Sequence, residues 1–217
     1  MSPLTNIFAM LLLFQALLLQ AAPAREPISG PLEPAAGRFL VARRDLYAPF
    51  FSHSVIYLLQ HNSAGTVGVI VNRPLGKTAA ELLPDLQDQG LGTYPVFNGG
   101  PVNPRIMVML FRGSYSTELA LHVSDDVYAS SNTAMLAEIK TTRKPGSELR
   151  MFAGQASWAP GQLARELGQG TWYVTEGDPD ALFAGDADYL WRKLINRLDP
   201  QGIMVRQQTD LMDAARL

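Results

Sequence analysis

Three closely spaced runs of β-branched and aromatic residues constrain the fold of this chain more than any other feature. They occupy residues 39–42, 54–59 and 66–71. Runs of this length and composition are typical of β-strands. Residues 61–65, between the second and third runs, include an asparagine and a glycine that tolerate the positive φ of a tight return. The pattern therefore predicts a β-hairpin.

Helices are predicted between and after the later strands. Thr78 and Glu81 have the spacing of a capping box, in which the hydroxyl and the carboxylate satisfy backbone donors at the start of a helix. Capping residues and hydrophobic periodicity place further helices at residues 134–140, 161–168 and 188–198, and further strands at residues 106–111, 119–123, 149–152 and 171–174. Because strands come in clusters rather than in strict alternation with helices, the pattern favours an α+β fold over a doubly wound parallel sheet.

The chain length favours one domain with flanking segments. Domains usually hold roughly 100–200 residues, so the 193 residues that remain after a leader of 24 is subtracted from 217 fit one domain better than two. Residues 38–198 are predicted to form this domain. Residues 25–37 contain three prolines and two glycines, which disfavour helix and strand, and are predicted to be a linker. Residues 199–217 are predicted to form a poorly ordered tail.

The first 24 residues are predicted to be an export signal. They contain no charged side chain, and residues 7–19 are apolar apart from Gln15. This run is too short for a membrane span of about 20 residues but suits a signal-peptide core of about 7–15 residues. Small residues supply a cleavage site after Ala24, which predicts a periplasmic or secreted protein with no membrane span after removal of the leader. The missing basic residue near Met1 leaves an uncleaved anchor or a misassigned start codon as alternatives.

Charge and cysteine content exclude several classes of function. The formal net charge is −2, which offers no strong attraction to nucleic acid or to anionic lipid heads. The chain has no cysteine, so it has no disulfide, no thiolate nucleophile and no cysteine-based zinc site. We therefore predict no specific binding of nucleic acid.

Neither a metal nor a cofactor is predicted. His53, His61 and His122 lack the spacing typical of a zinc site. Residues 76–78 resemble the end of a phosphate-binding loop, but Val71 stands where such a loop requires a glycine. This pattern is typical of an ordinary turn and helix cap.

Two turns are the candidate binding sites in the sequence. Asn72 and Arg73 follow one predicted strand, and Asn98, Gly99 and Gly100 follow another apolar run. Paired glycines allow a close approach of the backbone, either to another segment of the chain or to a ligand. The planar guanidinium of Arg73 suits a carboxylate or a phosphate, and a salt bridge that holds the turn is the alternative. No catalytic residue is predicted.

Several motifs resemble, in order and spacing, those of the YqgE/AlgH family. They are residues 39–42, 49–56, 61–62, 65, 68, 71–75, 98–102 and 158–163, followed by Glu166. The resemblance implies a small single α+β domain with a coiled, partly split, mostly antiparallel sheet flanked by helices. Two positions depart from the family pattern: Ala48 replaces a usual acidic residue, and Phe111 replaces a common histidine.

The resemblance implies a bacterial protein of largely undefined function. One member is linked by name to regulation of alginate synthesis, and members are often labelled transcriptional regulators. Typical members look cytoplasmic, so a cytoplasmic location is the alternative to export.

Three hypotheses follow for the function. We expect a non-enzymatic regulatory or accessory binding protein that uses the two turns to hold an unknown protein or a small anionic ligand. The second hypothesis is a hydrolase with His53 or His61 as base near Arg73. A single concave pocket holding a histidine, a hydroxyl or carboxylate, and Arg73 would favour it. The third is a DNA-binding transcriptional regulator, which the charge and the predicted leader disfavour.

Overall fold

Ten strands and five helices make up the residues that the computed structural model describes, which are 32–84, 92–142, 148–183 and 186–200. The strands are β1 (Arg38–Ala42), β2 (Val55–Asn62), β3 (Gly65–Ile70), β4 (Pro74–Thr78), β5 (Pro95–Asn98), β6 (Val102–Arg112), β7 (Leu121–Ser124), β8 (Val127–Ser130), β9 (Leu149–Trp158) and β10 (Trp172–Glu176). The helices are α1 (Ala79–Leu82), α2 (Met135–Thr142), α3 (Gln162–Gly168), α4 (Pro179–Phe183) and α5 (Ala187–Leu198). The predicted leader, the linker before residue 32 and the tail beyond Pro200 lie outside the described residues.

The sheet is organised around β9. Its strand order is β10-β1-β2-β3-β9-β6-β8-β7, with β4 paired to β5 and β5 paired to β9. The C-terminal part of β9 pairs with β3, whereas its N-terminal part pairs on the same edge with β5, the one parallel pairing among the described strands. The sheet therefore divides along β9. This architecture confirms the expected α+β domain with a mostly antiparallel, partly split sheet.

The predicted hairpin is formed by β2 and β3. Asn62 pairs with Gly65, which leaves Ser63 and Ala64 as a two-residue loop. The side chain of Asn62 accepts a hydrogen bond of 2.8 Å from the backbone N–H of Ala64, and Gly65 has φ +136°. The asparagine and the glycine thus stabilise the turn as the sequence predicts.

Three short elements, β4, β8 and α4, have no clear signal in the sequence. Strand β4 begins with a proline and contains Gly76, a composition typical of a turn. It is extended because Pro74 and Thr78 pair with Phe97 and Pro95 of β5. The partner strand supplies the hydrogen bonds that local propensity does not favour.

One hydrophobic core lies between the β1–β3 part of the sheet and α3 and α5. The predicted apolar face of α5 is confirmed, because its side chains pack into this core: Leu190, Trp191, Leu194, Ile195 and, partly buried, Leu198. The Trp191 Nε1 group donates a hydrogen bond of 2.8 Å to the carbonyl oxygen of Ala42. This bond joins α5 to the end of β1.

A second hydrophobic core is formed by β5, β6 and β9 with α1 and α2. Its buried members include Met109, Phe111, Met135, Ile139 and Met151. The ring of Phe111 meets that of Tyr115 edge-on at 5.1 Å between centroids. The residue that replaces the family's common histidine therefore contributes to apolar packing.

No helix of the described part of the chain is long and apolar enough to cross a membrane.

Candidate functional site

The first predicted turn holds the loop between β1 and β2. The Asn72 side chain accepts a hydrogen bond of 2.7 Å from the backbone N–H of Val55 and donates one of 2.9 Å to the carbonyl oxygen of His53. Arg73 donates from Nη1 to the carbonyl oxygen of Phe50 at 2.7 Å and from Nη2 to that of Ser52 at 3.0 Å. The guanidinium therefore fixes the backbone of this loop through carbonyl oxygens rather than through a salt bridge.

The second predicted turn joins the first to the centre of the sheet. The backbone N–H of Asn98 donates to the carbonyl oxygen of Arg73 at 2.8 Å. The carbonyl oxygen of Gly99 accepts from Ile70, and its N–H donates to Ala153, each at 2.9 Å. The two turns are thus one hydrogen-bonded unit where β3, β5 and β9 meet.

The paired glycines serve packing in this unit. A Cβ atom at Gly99 would lie 2.2 Å from the carbonyl oxygen of Gly154, and one at Gly100 would lie 2.4 Å from that of Gln155. Gly100 also has φ +143°, a positive value that favours glycine. Both glycines are buried, so the close approach that they permit is made to β9.

An open cleft of about 620 Å³ adjoins the Asn72 turn. It is lined by Ser52, His53, Asn72, Arg73, Pro74, Trp191 and Arg192. Its volume lies in the range of roughly 300–1,000 Å³ that is typical of small-molecule sites. None of these lining side chains is acidic, whereas Arg73 and Arg192 each carry a positive charge. The cleft therefore has the electrostatic character of an anion site.

Of the predicted binding residues, Asn72 and Arg73 line the cleft, whereas Asn98, Gly99 and Gly100 lie behind it. Trp191 and Arg192 of α5 complete the cleft and were not predicted from the sequence. The apolar periodicity of α5 identifies Trp191 as a core residue, but no local pattern connects this helix with a turn more than 100 residues earlier.

His53 has a strained backbone at the rim of the cleft. Its φ of 57° is in the left-handed region, which costs a residue with a side chain roughly 1–2 kcal/mol. The hydrogen bonds from Asn72 and Arg73 to this loop offset that cost. The exposed imidazole meets the Trp191 ring edge-on, with the centroids 4.3 Å apart. The loop is therefore held in one conformation with a ring nitrogen donor at the cleft.

Buried Arg150 supports the turn from behind. Its Nη1 donates to the carbonyl oxygen of Val71 at 3.3 Å, and its guanidinium lies 4.6 Å from the ring centroid of Phe97. Burial lowers the pKa of this guanidinium. The interruption of an apolar strand by an arginine is the signal that could have identified it.

The base of the same loop is anchored by Glu166. One carboxylate oxygen accepts from the indole nitrogen of Trp158 at 2.9 Å and from that of Trp172 at 2.8 Å. Phe51 stacks on the first indole and meets the second edge-on. The conformation of the loop thus depends on both its rim and its base.

The other two histidines lie elsewhere. The Nδ1 atom of His61 is 2.6 Å from the hydroxyl of Thr66 in the hairpin, near the end of β2 that is remote from His53. The Nε2 atom of His122 is 2.7 Å from the carbonyl oxygen of Asp125. Among the described residues, no group of three or more His, Cys, Asp or Glu side chains is arranged to hold a metal ion.

Comparison with known proteins identifies related sequences over most of the chain. The family model described as AlgH-like matches residues 39–202. The UPF0301 protein VV2869 of Vibrio vulnificus is 32% identical over 181 residues, which cover 79% of this chain and 94% of that protein. The UPF0301 protein SCO2948 of Streptomyces coelicolor is 35% identical over 164 residues, covering 74% and 85% respectively.

Two solved structures share the fold. The crystal structure of protein DIP2367 from Corynebacterium diphtheriae superposes with a TM-score of 0.65 at 27% identity, covering 78% of this chain and 90% of that one. The solution structure of the AlgH protein from Pseudomonas aeruginosa gives a TM-score of 0.64 at 27% identity, with 79% and 93% coverage.

Proposed function

This chain belongs to the AlgH-like family, and we propose that it is a non-enzymatic binding protein that holds a small anionic group between Arg73 and Arg192. The observation that carries this proposal is the charge of the cleft: two arginines line it, and none of its described lining side chains is acidic. A regulatory or accessory role would follow from the occupancy of this cleft.

The two arginines have different roles in the proposed site. Arg73 uses Nη1 and Nη2 to hold the loop, so its contribution combines positive charge with the remaining donors of a fixed guanidinium. Arg192 is exposed on α5, and its guanidinium carbon lies 5.9 Å from the ring centroid of Tyr189. Arg192 makes no ion pair with another described residue, so it can turn towards an anion without breaking one there. Charge-assisted hydrogen bonds of this kind contribute about 1.5–3 kcal/mol each.

Titration with inorganic phosphate and with acetate tests the proposal. We expect saturable shifts of the Trp191 indole resonance in NMR spectra of the protein, because this ring lines the cleft. Arg192→Gln should weaken the affinity at least about tenfold, which corresponds to the loss of about 1.4 kcal/mol. Lys193→Gln is the matched control, since it removes the same charge from the next residue of α5, outside the cleft. Equal affinities for the two variants, or no saturable shift, would contradict the proposal.

A hydrolase is the second candidate, because Ser52, His53 and Arg73 line one cleft. A serine nucleophile requires a base that is oriented by a third group, usually a carboxylate. The lining residues supply no such carboxylate, and this favours binding over hydrolysis. We expect no turnover of 4-nitrophenyl acetate that depends on Ser52 and His53. Turnover that both Ser52→Ala and His53→Ala abolish would establish the hydrolase instead.

The proposed site of action is the periplasm or the cell exterior, which rests on the apolar leader and its small-residue cleavage site. Such a location would separate the protein from the chromosome, so regulation would act through envelope partners rather than through DNA. The densest group of basic residues in the sequence, the kind of feature that contacts DNA phosphates, is Lys140, Arg143 and Lys144. Lys140 lies in α2, and the other two lie outside the described residues. Sequence-dependent nanomolar binding in a gel-shift titration at about 150 mM salt would overturn this part of the proposal.

A further inference from the structure

A smaller cleft of about 340 Å³ opens beside the anion cleft. It is lined by Arg44, Leu46, Tyr47, Ala48, Pro49, Ser52 and His53. Ser52 and His53 also line the larger cleft, so the two clefts adjoin at these residues. A single ligand that extends past His53 would contact both clefts.

The smaller cleft is apolar, unlike its neighbour. Leu46, Tyr47, Ala48 and Pro49 form one wall. The positive charge of Arg44 is already compensated, because its Nε lies 3.4 Å from the carboxylate of Asp199 and its Nη2 donates to Asn196 at 2.8 Å. The side chain at position 48 is a methyl group, so no carboxylate opposes the apolar wall at this point.

Large apolar side chains of the same loop are exposed to solvent. Tyr47 is 93% exposed and Phe50 is 48% exposed, whereas among the other described aromatic residues only Tyr189 is exposed. The backbone of this loop is fixed by Arg73 and its base by the two indoles that flank Phe51. A fixed loop that presents apolar surface next to a cationic cleft suits a ligand that has both an apolar part and a negatively charged group.

Resting on the proposed anion site, we infer that the ligand is an amphiphilic oxyanion. Its carboxylate or phosphate head lies between Arg73 and Arg192, and its aliphatic or aromatic tail passes His53 into the cleft beneath Tyr47. The orientation follows from charge complementarity, because Arg73 and Arg192 line the larger cleft and the apolar wall lines the smaller one.

Calorimetric titrations of the full chain measure separately what the anionic head group and the alkyl tail of a ligand contribute to its affinity. The probes are acetate, octanoate, inorganic phosphate and octyl phosphate, with octanol as the uncharged tail. We expect octanoate and octyl phosphate to bind at least about tenfold more tightly than their short counterparts, because each buried methylene adds to the affinity. Arg192→Gln should weaken all four anions, and octanol should not bind measurably.

Two substitutions address the tail site. Ala48→Asp places a carboxylate in the apolar wall and should bring the ratio of octanoate affinity to acetate affinity close to one. Ala64→Asp is the matched control, because it adds the same charge in the β2–β3 hairpin, away from both clefts. Tyr47→Ser should reduce the same affinity ratio at least about threefold, and Ile106→Ser, at an exposed position of β6, should not.

The outcomes separate this inference from the proposed function. If acetate and phosphate bind through Arg192 but the tails add nothing, the inference is wrong and the anion site remains. If octanol binds as tightly as octanoate, or if Ala64→Asp acts like Ala48→Asp, the tail is not held next to the anion site and the inference is also wrong. If no oxyanion binds, the proposed function fails together with the inference.

Discussion

The imidazole of His53 meets the indole of Trp191 edge-on, with 4.3 Å between the ring centroids. This contact joins the loop before β2 to α5, two segments that are far apart in the sequence. The indole of Trp191 also donates a hydrogen bond to the end of β1. Both the loop wall and the α5 wall of the cleft are therefore held in place. The loop conformation is therefore the property on which stability and binding should both depend.

The strain at His53 predicts a difference between two small replacements. His53→Gly should be more stable than His53→Ala by about 1 kcal/mol, because glycine adopts the left-handed region without the penalty of a Cβ atom. Urea unfolding of the two variants measures this difference. Equal stabilities, or a more stable alanine variant, would show that the loop relaxes to negative φ when the imidazole is removed.

The packing of the paired glycines against β9 predicts a strong steric effect. Gly99→Ala and Gly100→Ala should each lower the free energy of unfolding by about 1–3 kcal/mol, since each new methyl group would meet a backbone carbonyl. Gly168→Ala is the control: a Cβ there meets nothing within 4 Å, and alanine favours the helix by roughly 0.5–1 kcal/mol. Unchanged melting temperatures for both turn variants would refute the assigned role.

The shared acceptor at Glu166 predicts a large loss of stability on its removal. Glu166→Ala leaves the indole N–H groups of Trp158 and Trp172 without this partner in nearly buried positions, which should cost about 2–4 kcal/mol. Gln162→Ala removes its bond to the other carboxylate oxygen and the one that it accepts from the exposed backbone N–H of Ala159, but leaves both indoles hydrogen-bonded, and should cost about 1 kcal/mol. Chemical denaturation of both variants provides the comparison, and similar losses would contradict the prediction.

The capping box of α1 predicts a pH dependence of stability. The carboxylate of Glu81 accepts hydrogen bonds from the backbone N–H and the hydroxyl of Thr78, and these bonds lower its pKa. Because the pKa of this carboxyl group is lower in the folded state than its value of about 4.5 in the unfolded state, the ionised carboxylate stabilises the folded state at pH values above about 4.5. This stabilisation is lost as the pH falls through the lower folded-state pKa. Thermal unfolding should therefore show Glu81→Gln to be less stable than the parent at pH 7. The difference should disappear on acidification, and a difference that is constant with pH would exclude the carboxylate as its source.

The proposed export signal predicts a new N-terminus at Arg25. Intact-mass analysis of protein from the native envelope should find the chain without its first 24 residues, because the small residues before Arg25 suit cleavage there. Replacing Ala22 and Ala24 by bulky residues should block processing. Recovery of the full-length protein from the cytosol would end the export proposal.

Features governed by neighbouring residues were predictable from the sequence. The β2–β3 hairpin, the capping box at Thr78 and Glu81, and the apolar face of α5 all follow from local patterns. Each depends on hydrogen bonds within a few residues or on a helical period, and both are properties of a short segment. The short strand β4 was missed because β5, rather than local preference, supplies its hydrogen bonds. Strand β8 was also missed, although it pairs with the neighbouring β7 as well as with β6.

The candidate site illustrates what only the tertiary structure decides. The sequence identifies Asn72 and Arg73 as polar residues at a strand end, but not the carbonyl oxygens of Phe50 and Ser52 that Arg73 binds. It presents the glycines at positions 99 and 100 as compatible with either a ligand or another chain segment, and packing against β9 determines which. Arg192 reaches the cleft only because the apolar face of α5 docks against β1 to β3. A sequence period shows which face of a helix is apolar, whereas the burial of that face against distant strands determines which polar residues come together.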